Sequence, residues 1–394
     1  MKDRENTIWV SPCLFLFESR KKMKTMEMNE YQLDGAMFSS NNEADFYGFI
    51  QEREDNAAWL ATPVAELIVK PGTETVSEIE GRAKTEAKFT VETVHGDYAM
   101  RDIATPSLLE RARVSGYALG DLTSEDFAEV VNRCLRTSKT TEEAYVRLQD
   151  GKAAALMADT YKVLPQPEIY SAADEMIRSD YRGEFISGSW THRMSTSRYS
   201  VSSPAAEYEE FLSSKGMSFR DVFMSVAVVT SDCGYSGLNL YPSVVGVMRG
   251  GRNFRFPILG ELSMPHKGKA SIDEFRKNLS LAFVQAAESA ERLKELEKIE
   301  LNYAFNSFCN VLKKLGIGKK AAAEVIDRFA VIYGNGRGTA ADIYLNACEI
   351  ACGIKQDDLM AILKVEEAVT KILKLKNWNE FDRPVNSWSF NVAL

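Results

Sequence analysis

Apolar residues follow two different patterns along the chain, and the pattern changes near residue 294. The segments 223–229, 238–247 and 254–262 are short apolar runs bounded by polar or glycine-containing stretches, which is typical of buried strands. After Lys294, apolar positions recur every three to four residues in four segments separated by glycines, which predicts amphipathic helices. We therefore predict an α+β fold with a central mixed or antiparallel sheet, packed helices and a C-terminal helical subdomain.

Local signals predict where several elements begin and end. Asp150-Gly151 separates two apolar runs and favours a β-hairpin, because both residues tolerate the positive φ of a tight turn. Thr123, followed three residues later by an acidic side chain, predicts the start of a helix. Pro106 suits the first position of a preceding helix, which we expect to end at Gly116 and Gly120.

These patterns divide the chain into three parts. Residues 1–40 are predicted to be an extension or a disordered tail, because the apolar stretch 9–17 is short and is interrupted by Pro12. Residues 41–296 are predicted to form the α+β domain, and residues 297–394 the helical subdomain.

Composition limits the classes of function. The chain has 394 residues, of which 45% are hydrophobic and 26% are charged, as in ordinary globular proteins. Its formal charge of -8 means that any nucleic-acid site must be a local basic patch on an acidic body. No apolar run approaches the ~20 residues of a membrane span, so we expect no membrane association.

Ligand sets for catalysis or for metals are incomplete. The six cysteines are scattered, and only three histidines are present. Cys348 and Cys352 share a predicted helix face, but no second Cys or His pair completes a zinc site. We therefore predict no catalytic residues, no metal and no cofactor. Carboxylate pairs such as Glu366-Glu367 are interpreted as solvated helix faces.

The order of several segments resembles a known family. Three regions carry the likeness: 108–122 with the turn at Asp150-Gly151, 222–271 with its strands and following helix, and the helix start 338–347. Over roughly residues 100–390 the chain resembles the phage/plasmid-like family catalogued as domain of unknown function 932. The resemblance implies a mobile genetic element, the cytoplasm of a bacterial host cell and neighbours that handle DNA, but no catalytic residues.

One candidate phosphate site is the segment 311–326. It resembles a helix-hairpin-helix, in which the backbone N–H groups of a Gly-x-Gly turn point at a phosphate. Here Gly316 and Gly318 would form the turn, and Lys319 and Lys320 would neutralise the phosphate. The alternative is an ordinary connection between helices, with a C-terminal glycine cap and surface lysines.

Two further basic segments are candidates for nucleic-acid binding. In the first, arginines alternate with aromatic residues beside a Gly-Gly turn, and two lysines follow in the next loop; the alternative is a hairpin with solvated arginines and buried phenylalanines. The second is a hydroxyl-rich stretch with two arginines, whose alternative is an exposed edge strand. The residues concerned are Arg249, Arg252, Phe254, Arg255, Lys267 and Lys269 in the first, and Arg193 and Arg198 in the second.

Taken together, these features favour a non-enzymatic nucleic-acid-binding protein of a phage or plasmid. Its most concrete form binds or anneals single-stranded DNA in replication or recombination, which is an analogy at the level of element order. The alternative is an interaction protein that binds a host or phage protein, for example to counter defence, without nucleic acid. A homo-oligomer is compatible with either function.

Overall fold

The computed structural model describes residues 35–72, 75–79, 82–86, 88–137, 143–201, 205–248, 253–334, 336–354 and 359–388. Helices make up 47% and strands 28% of it, and the main sheet is antiparallel, so the predicted α+β class is confirmed. Most of the predicted tail lies outside the described residues. No described helix is both long enough and apolar enough to cross a membrane.

Within the described residues, strands and helices are interspersed up to β15, and helices predominate after it. The strands are β1 Met37–Ser40, β2 Ala57–Pro63, β3 Ile68–Pro71, β4 Thr75–Ile79, β5 Arg82–Glu86, β6 Phe89–Thr93, β7 Gly96–Ala99, β8 Glu143–Gln149, β9 Lys152–Ala158, β10 Glu184–Thr191, β11 Ser195–Val201, β12 Phe219–Thr230, β13 Leu238–Met248, β14 Asn253–Pro257, β15 Leu262–Met264, β16 Glu300–Leu301 and β17 Gly338–Thr339. The helices are α1 Glu43–Asp55, α2 Thr105–Ala112, α3 Ser124–Thr137, α4 Gln166–Tyr181, α5 Ala206–Ser214, α6 Ile272–Glu297, α7 Ala304–Lys314, α8 Lys319–Tyr333, α9 Ala340–Gly353 and α10 Leu359–Ile372.

The main sheet has the strand order β1-β10-β11-β12-β13-β14, and β15 also pairs with β13. Side chains alternate across it, as a strand requires. Val226 and Val228 of β12 enter the main core, whereas Ala227 and Val229 face the opposite side and pack near α10. The sheet thus separates a large core from a second face on which α10 lies.

A smaller lobe, residues 57–158, has its own core. It contains the sheets β2-β8-β9 and β3-β6-β7 together with α2 and α3. The predicted hairpin is confirmed: β8 and β9 pair antiparallel, with φ of 53° at Asp150 and 72° at Gly151. We call the remaining described residues the main body.

Cap chemistry explains several boundaries. The backbone N–H of Asp126 donates to Thr123 Oγ1 (3.1 Å), which confirms the predicted start of α3. The expected end of α2 at Gly116 is wrong, because Arg113 ends it in the left-handed conformation with φ of 53°. The run 254–262 is two strands rather than one; Gly260, at φ of 112°, interrupts it where a Cβ would lie 2.7 Å from the Ala282 carbonyl oxygen.

The C-terminal helices share the main core with the sheet. Buried residues of this core run from Ala36 to Phe381, across the predicted boundary at residue 296. The Tyr344 hydroxyl of α9, for example, donates to the carbonyl oxygen of Pro257 in β14 (2.8 Å). The three-part division stays a prediction, but the hydrophobic cores group the residues as small lobe and main body.

Candidate functional site

A groove of about 1440 Å³ lies between the β10–β11 turn and the helices α8, α9 and α10. It is larger than the ~300–1,000 Å³ of typical small-molecule pockets. Its floor is aliphatic and includes Met194, Leu359 and Met360, while charged side chains line its walls. These dimensions suit a segment of a polymer better than a small metabolite.

The β10–β11 turn presents Arg193 to the groove. The N–H of Thr191 donates to the Met194 carbonyl oxygen (2.8 Å), which closes the hairpin. Ser231 Oγ donates to the Arg193 carbonyl oxygen (2.5 Å), and the guanidinium lies 5.4 Å from the ring centroid of Tyr235. The β12–β13 loop thus holds the backbone and the side chain of an exposed arginine in place.

The turn between α7 and α8 forms part of another wall. Gly316 has φ of 74°, and its N–H donates to the Lys313 carbonyl oxygen (3.1 Å), while the Ile317 N–H reaches Leu312 (3.0 Å). Termination of α7 therefore explains the glycine at 316. Gly318, the N-cap of α8, has φ of -67°, and no atom lies within 4 Å of a Cβ built there.

The backbone does not require glycine at position 318. Because it is a glycine, Gly318 has no side chain that could cap the first N–H groups of α8. Two helices joined by a glycine turn are expected both for a helix-hairpin-helix and for an ordinary connection between helices, and α7 and α8 have this arrangement. The amino end of α8 carries the partial positive charge of a helix start.

Basic side chains predominate in the groove. Arg328 pairs with Glu349 (2.5 Å) and Lys371 with Glu367 (2.6 Å), and the second contact raises the pKa of Lys371. Arg193, Lys320 and Lys364 also line the groove and are exposed; none of them forms an ion pair with a described residue. Glu324 is the remaining acidic side chain among the described lining residues. The unpaired charge of the groove is therefore positive.

A buried network of arginines joins the small lobe to the main body next to this groove. Asp150, in the β8–β9 turn, accepts hydrogen bonds from Arg53 and from Arg101 (3.1 Å). All three side chains are at most 5% exposed. Arg101 Nη1 also lies 3.4 Å from Nε2 of His192, a residue of the groove.

The second part of this network is centred on Asp232. Its carboxylate accepts from Arg147 (3.0 Å) and from Gln166 Nε2 (2.8 Å). Arg147 also donates to Glu54 (2.9 Å), which is the more exposed of its two acidic partners. Burial raises the pKa of Asp232 to about 6, although the charge of Arg147 opposes this shift.

An aromatic column reinforces the same junction. The guanidinium of Arg147 lies 5.1 Å from the ring of Trp59, which contacts Tyr161 (5.3 Å between centroids). Tyr161 in turn stacks on His266 at 5.2 Å. Burial lowers the pKa of His266, which favours a neutral ring at physiological pH. The column connects β2 of the small lobe to the loop that follows β15.

The structure separates the basic residues that the sequence grouped. Arg255 Nε lies 2.7 Å from Glu366, and Arg198 lies 3.9 Å from the same carboxylate. Glu366 of α10 is only 3% exposed, so the prediction of a solvated face is wrong for this residue. Phe254 is 5% exposed and belongs to the main core, which favours packing over stacking on a base.

The other predicted residues fall in different places. Arg249 and Arg252 lie outside the described residues. Lys267 and Lys269 are exposed in the loop after β15 and do not line the groove. Lys319 is exposed at the first position of α8, beside the groove residue Lys320.

Sequence reasoning missed Lys364 and His192 as groove residues. Lys364 lies four positions after Met360 on α10, so the two share a helix face, and this spacing was the available signal. Nothing local in the sequence places His192 beside Arg101.

Comparison of the chain with protein-family models, with curated proteins and with solved structures finds no match. The family resemblance and the function that it implies therefore stay predictions. No group of three or more His, Cys, Asp or Glu side chains that could hold a metal ion occurs within the described residues.

Proposed function

We propose that this protein binds nucleic acid by holding the phosphate backbone of a single strand in the groove. The observation that carries the proposal is the convergence of three exposed cations on one groove: Arg193 from the β10–β11 turn, Lys320 from α8 and Lys364 from α10. Cations without carboxylate partners are available to phosphates, and they release counterions when a strand binds.

Two sequence features support this proposal. The segments around Arg193 and around Gly316–Gly318 were each candidate phosphate sites, and they meet in the same groove although more than 100 positions separate them. The amino end of α8, which begins after Gly318, adds backbone donors that suit an anion. The proposal includes the role that the order of elements suggests by analogy, namely single-strand handling or annealing for a phage or plasmid.

The test is the variant in which Arg193, Lys320 and Lys364 are all replaced by alanine. Its affinity for single-stranded DNA should fall, and the slope of log affinity against log salt should flatten by about two, since each lost phosphate contact removes ~0.7. Folding should persist, because solvated charges contribute little to stability. The matched control replaces Lys267 and Lys269, which are exposed outside the groove, and should keep the wild-type slope.

Salt-dependent binding that the triple variant retains in full would contradict the assignment to the groove. Absence of binding to any single strand would contradict the proposed function itself.

A second function is favoured by the aliphatic floor. Leu359 and Met360, both half-buried, form an apolar surface of the kind that accepts the apolar face of a partner helix. In this case the protein would be an interaction protein that binds a host or phage protein. Met360→Glu should then abolish capture of that partner, whereas the triple alanine variant should weaken it only slightly.

A further inference from the structure

The proposed groove differs from common single-strand binding sites in the residues that would meet the bases. Proteins that bind single strands without sequence preference place aromatic rings along a basic channel, and successive bases stack on these rings. The described residues that line this groove include no Phe, Tyr or Trp. Its apolar surface consists of methionine and branched or linear aliphatic side chains instead.

Aromatic residues near the groove are engaged elsewhere. The ring of Tyr235 lies under the guanidinium of Arg193, at 5.4 Å. His192 is 7% exposed and meets the ring of Trp190 edge-on, with 4.6 Å between centroids and an interplanar angle of 68°. Phe254 and Phe256 are 5% and 1% exposed in the main core, so neither offers a face to a base.

From this we infer that the groove binds the sugar–phosphate backbone and gains almost nothing from stacked bases. The inference rests on the proposed function and specifies its substrate class: a phosphodiester strand recognised without its bases. Cations and the amino end of α8 contact the phosphates, while Leu359 and Met360 contact the aliphatic parts of the sugars. Base identity, and even base presence, then contributes little to affinity.

The consequence can be measured with an abasic strand. Each stacked base normally contributes roughly five- to 150-fold in affinity. A strand of tetrahydrofuran abasic sites carries the same phosphates and nearly the same sugars as oligo-dT of equal length. If bases are not stacked, the two strands should bind the full-length protein within about threefold of each other, which is less than a single stacking contact contributes.

The experiment measures fluorescence anisotropy of end-labelled oligo-dT, oligo-dA and the abasic strand at two salt concentrations. Equal affinities, all reduced alike by Lys320→Ala, support the inference. Tight binding of oligo-dT with a loss of more than about tenfold on the abasic strand overturns the inference and leaves the proposed function standing. If no strand binds, the proposed function fails and the inference fails with it. The double variant of Lys267 and Lys269 is the control and should bind all three strands as the wild type does.

Discussion

The groove and the lobe junction both contain several basic side chains, but their surroundings are opposite. At the junction, Arg53, Arg101 and Arg147 are at most 4% exposed, and each donates to a carboxylate. In the groove, Arg193 and Lys320 are exposed and have no acidic partner among the described residues. Similar residue types therefore have different roles in two neighbouring parts of the molecule.

The difference follows from the free energy of desolvation. Removing an arginine from water costs several kcal/mol unless a carboxylate and further hydrogen bonds compensate, so buried arginines are paired with carboxylates. Such a network specifies how the small lobe sits on the main body, but it leaves no charge for a ligand. An exposed cation contributes little to stability and keeps its full charge for a partner.

The same contrast separates two arginines of one hairpin. Arg193 is in the β10–β11 turn and projects into the groove, whereas Arg198 is on β11, where the buried carboxylate of Glu366 lies 3.9 Å away. Arg255 of β14 has the same acidic neighbour at 2.7 Å. Basic residues that look equivalent in the sequence therefore differ in structure: those covered by α10 lie next to its buried carboxylate, and the one in the turn is exposed.

The largest expected effect is at the junction. Arg147→Met keeps most of the apolar volume but leaves Asp232 without its cation and removes the contact with Glu54. The free energy of unfolding should fall by ~3–5 kcal/mol, because breaking a buried pair leaves an uncompensated charge. Urea denaturation followed by circular dichroism measures this change.

The groove provides the comparison for that experiment. Arg193→Ala should change the free energy of unfolding by less than ~0.5 kcal/mol, as expected for an exposed side chain. Equal losses for the two variants would show that the distinction between paired and unpaired arginines is wrong.

A smaller effect concerns the pH dependence of the junction. Burial raises the pKa of Asp232 to about 6, from an ordinary value of 3.8. At pH values between 3.8 and about 6, Asp232 is protonated in the folded state and ionised in the unfolded state. The stabilisation that this bound proton provides is therefore complete below pH ~4 and is lost as the pH rises through about 6. A shift of this size corresponds to roughly 3 kcal/mol at most, at ~1.4 kcal/mol per pH unit.

Asp232→Asn should remove this component while keeping an oxygen that accepts from Gln166. The unfolding free energy of the wild type, compared with that of the variant between pH 4 and pH 7, isolates the contribution. Parallel curves for the two proteins would mean that Asp232 stays ionised throughout, held by Arg147 despite its burial.

The features that could be predicted from the sequence depend on residues that are close together along the chain. The Asp150-Gly151 hairpin and the cap at Thr123 follow from local backbone chemistry, and both are confirmed. The buried strand predicted at 223–229 follows from its continuous apolar run and lies within β12. The glycine turn between α7 and α8 was predicted for the same reason, since Gly316 acts on its own backbone.

Long-range pairs could not be predicted in this way. The junction joins α1, β8 and the β12–β13 loop, and no spacing in the sequence relates Arg147 to Asp232, which is 85 positions away. The pairing of Arg255 with Glu366 depends in the same way on where α10 packs. Exposed and buried glutamates cannot be distinguished in a sequence, because their burial depends on which element packs over them.

A small change in stability is expected at Gly318, where stability and binding should move in opposite directions. Gly318→Asp places a carboxylate at the N-cap of α8, where it can accept from the open N–H groups. The gain should be a few tenths of a kcal/mol, and up to ~1 kcal/mol with the favourable helix dipole. The same carboxylate occupies the proposed phosphate position, so affinity for single strands should fall by about tenfold, or ~1.4 kcal/mol.

Gly318→Asn caps the helix without the charge and should weaken binding less than Asp does. Thermal unfolding and anisotropy titrations on the same preparations measure both quantities; a Gly318→Asp protein that is more stable and still binds with wild-type affinity would remove the amino end of α8 from the proposed site.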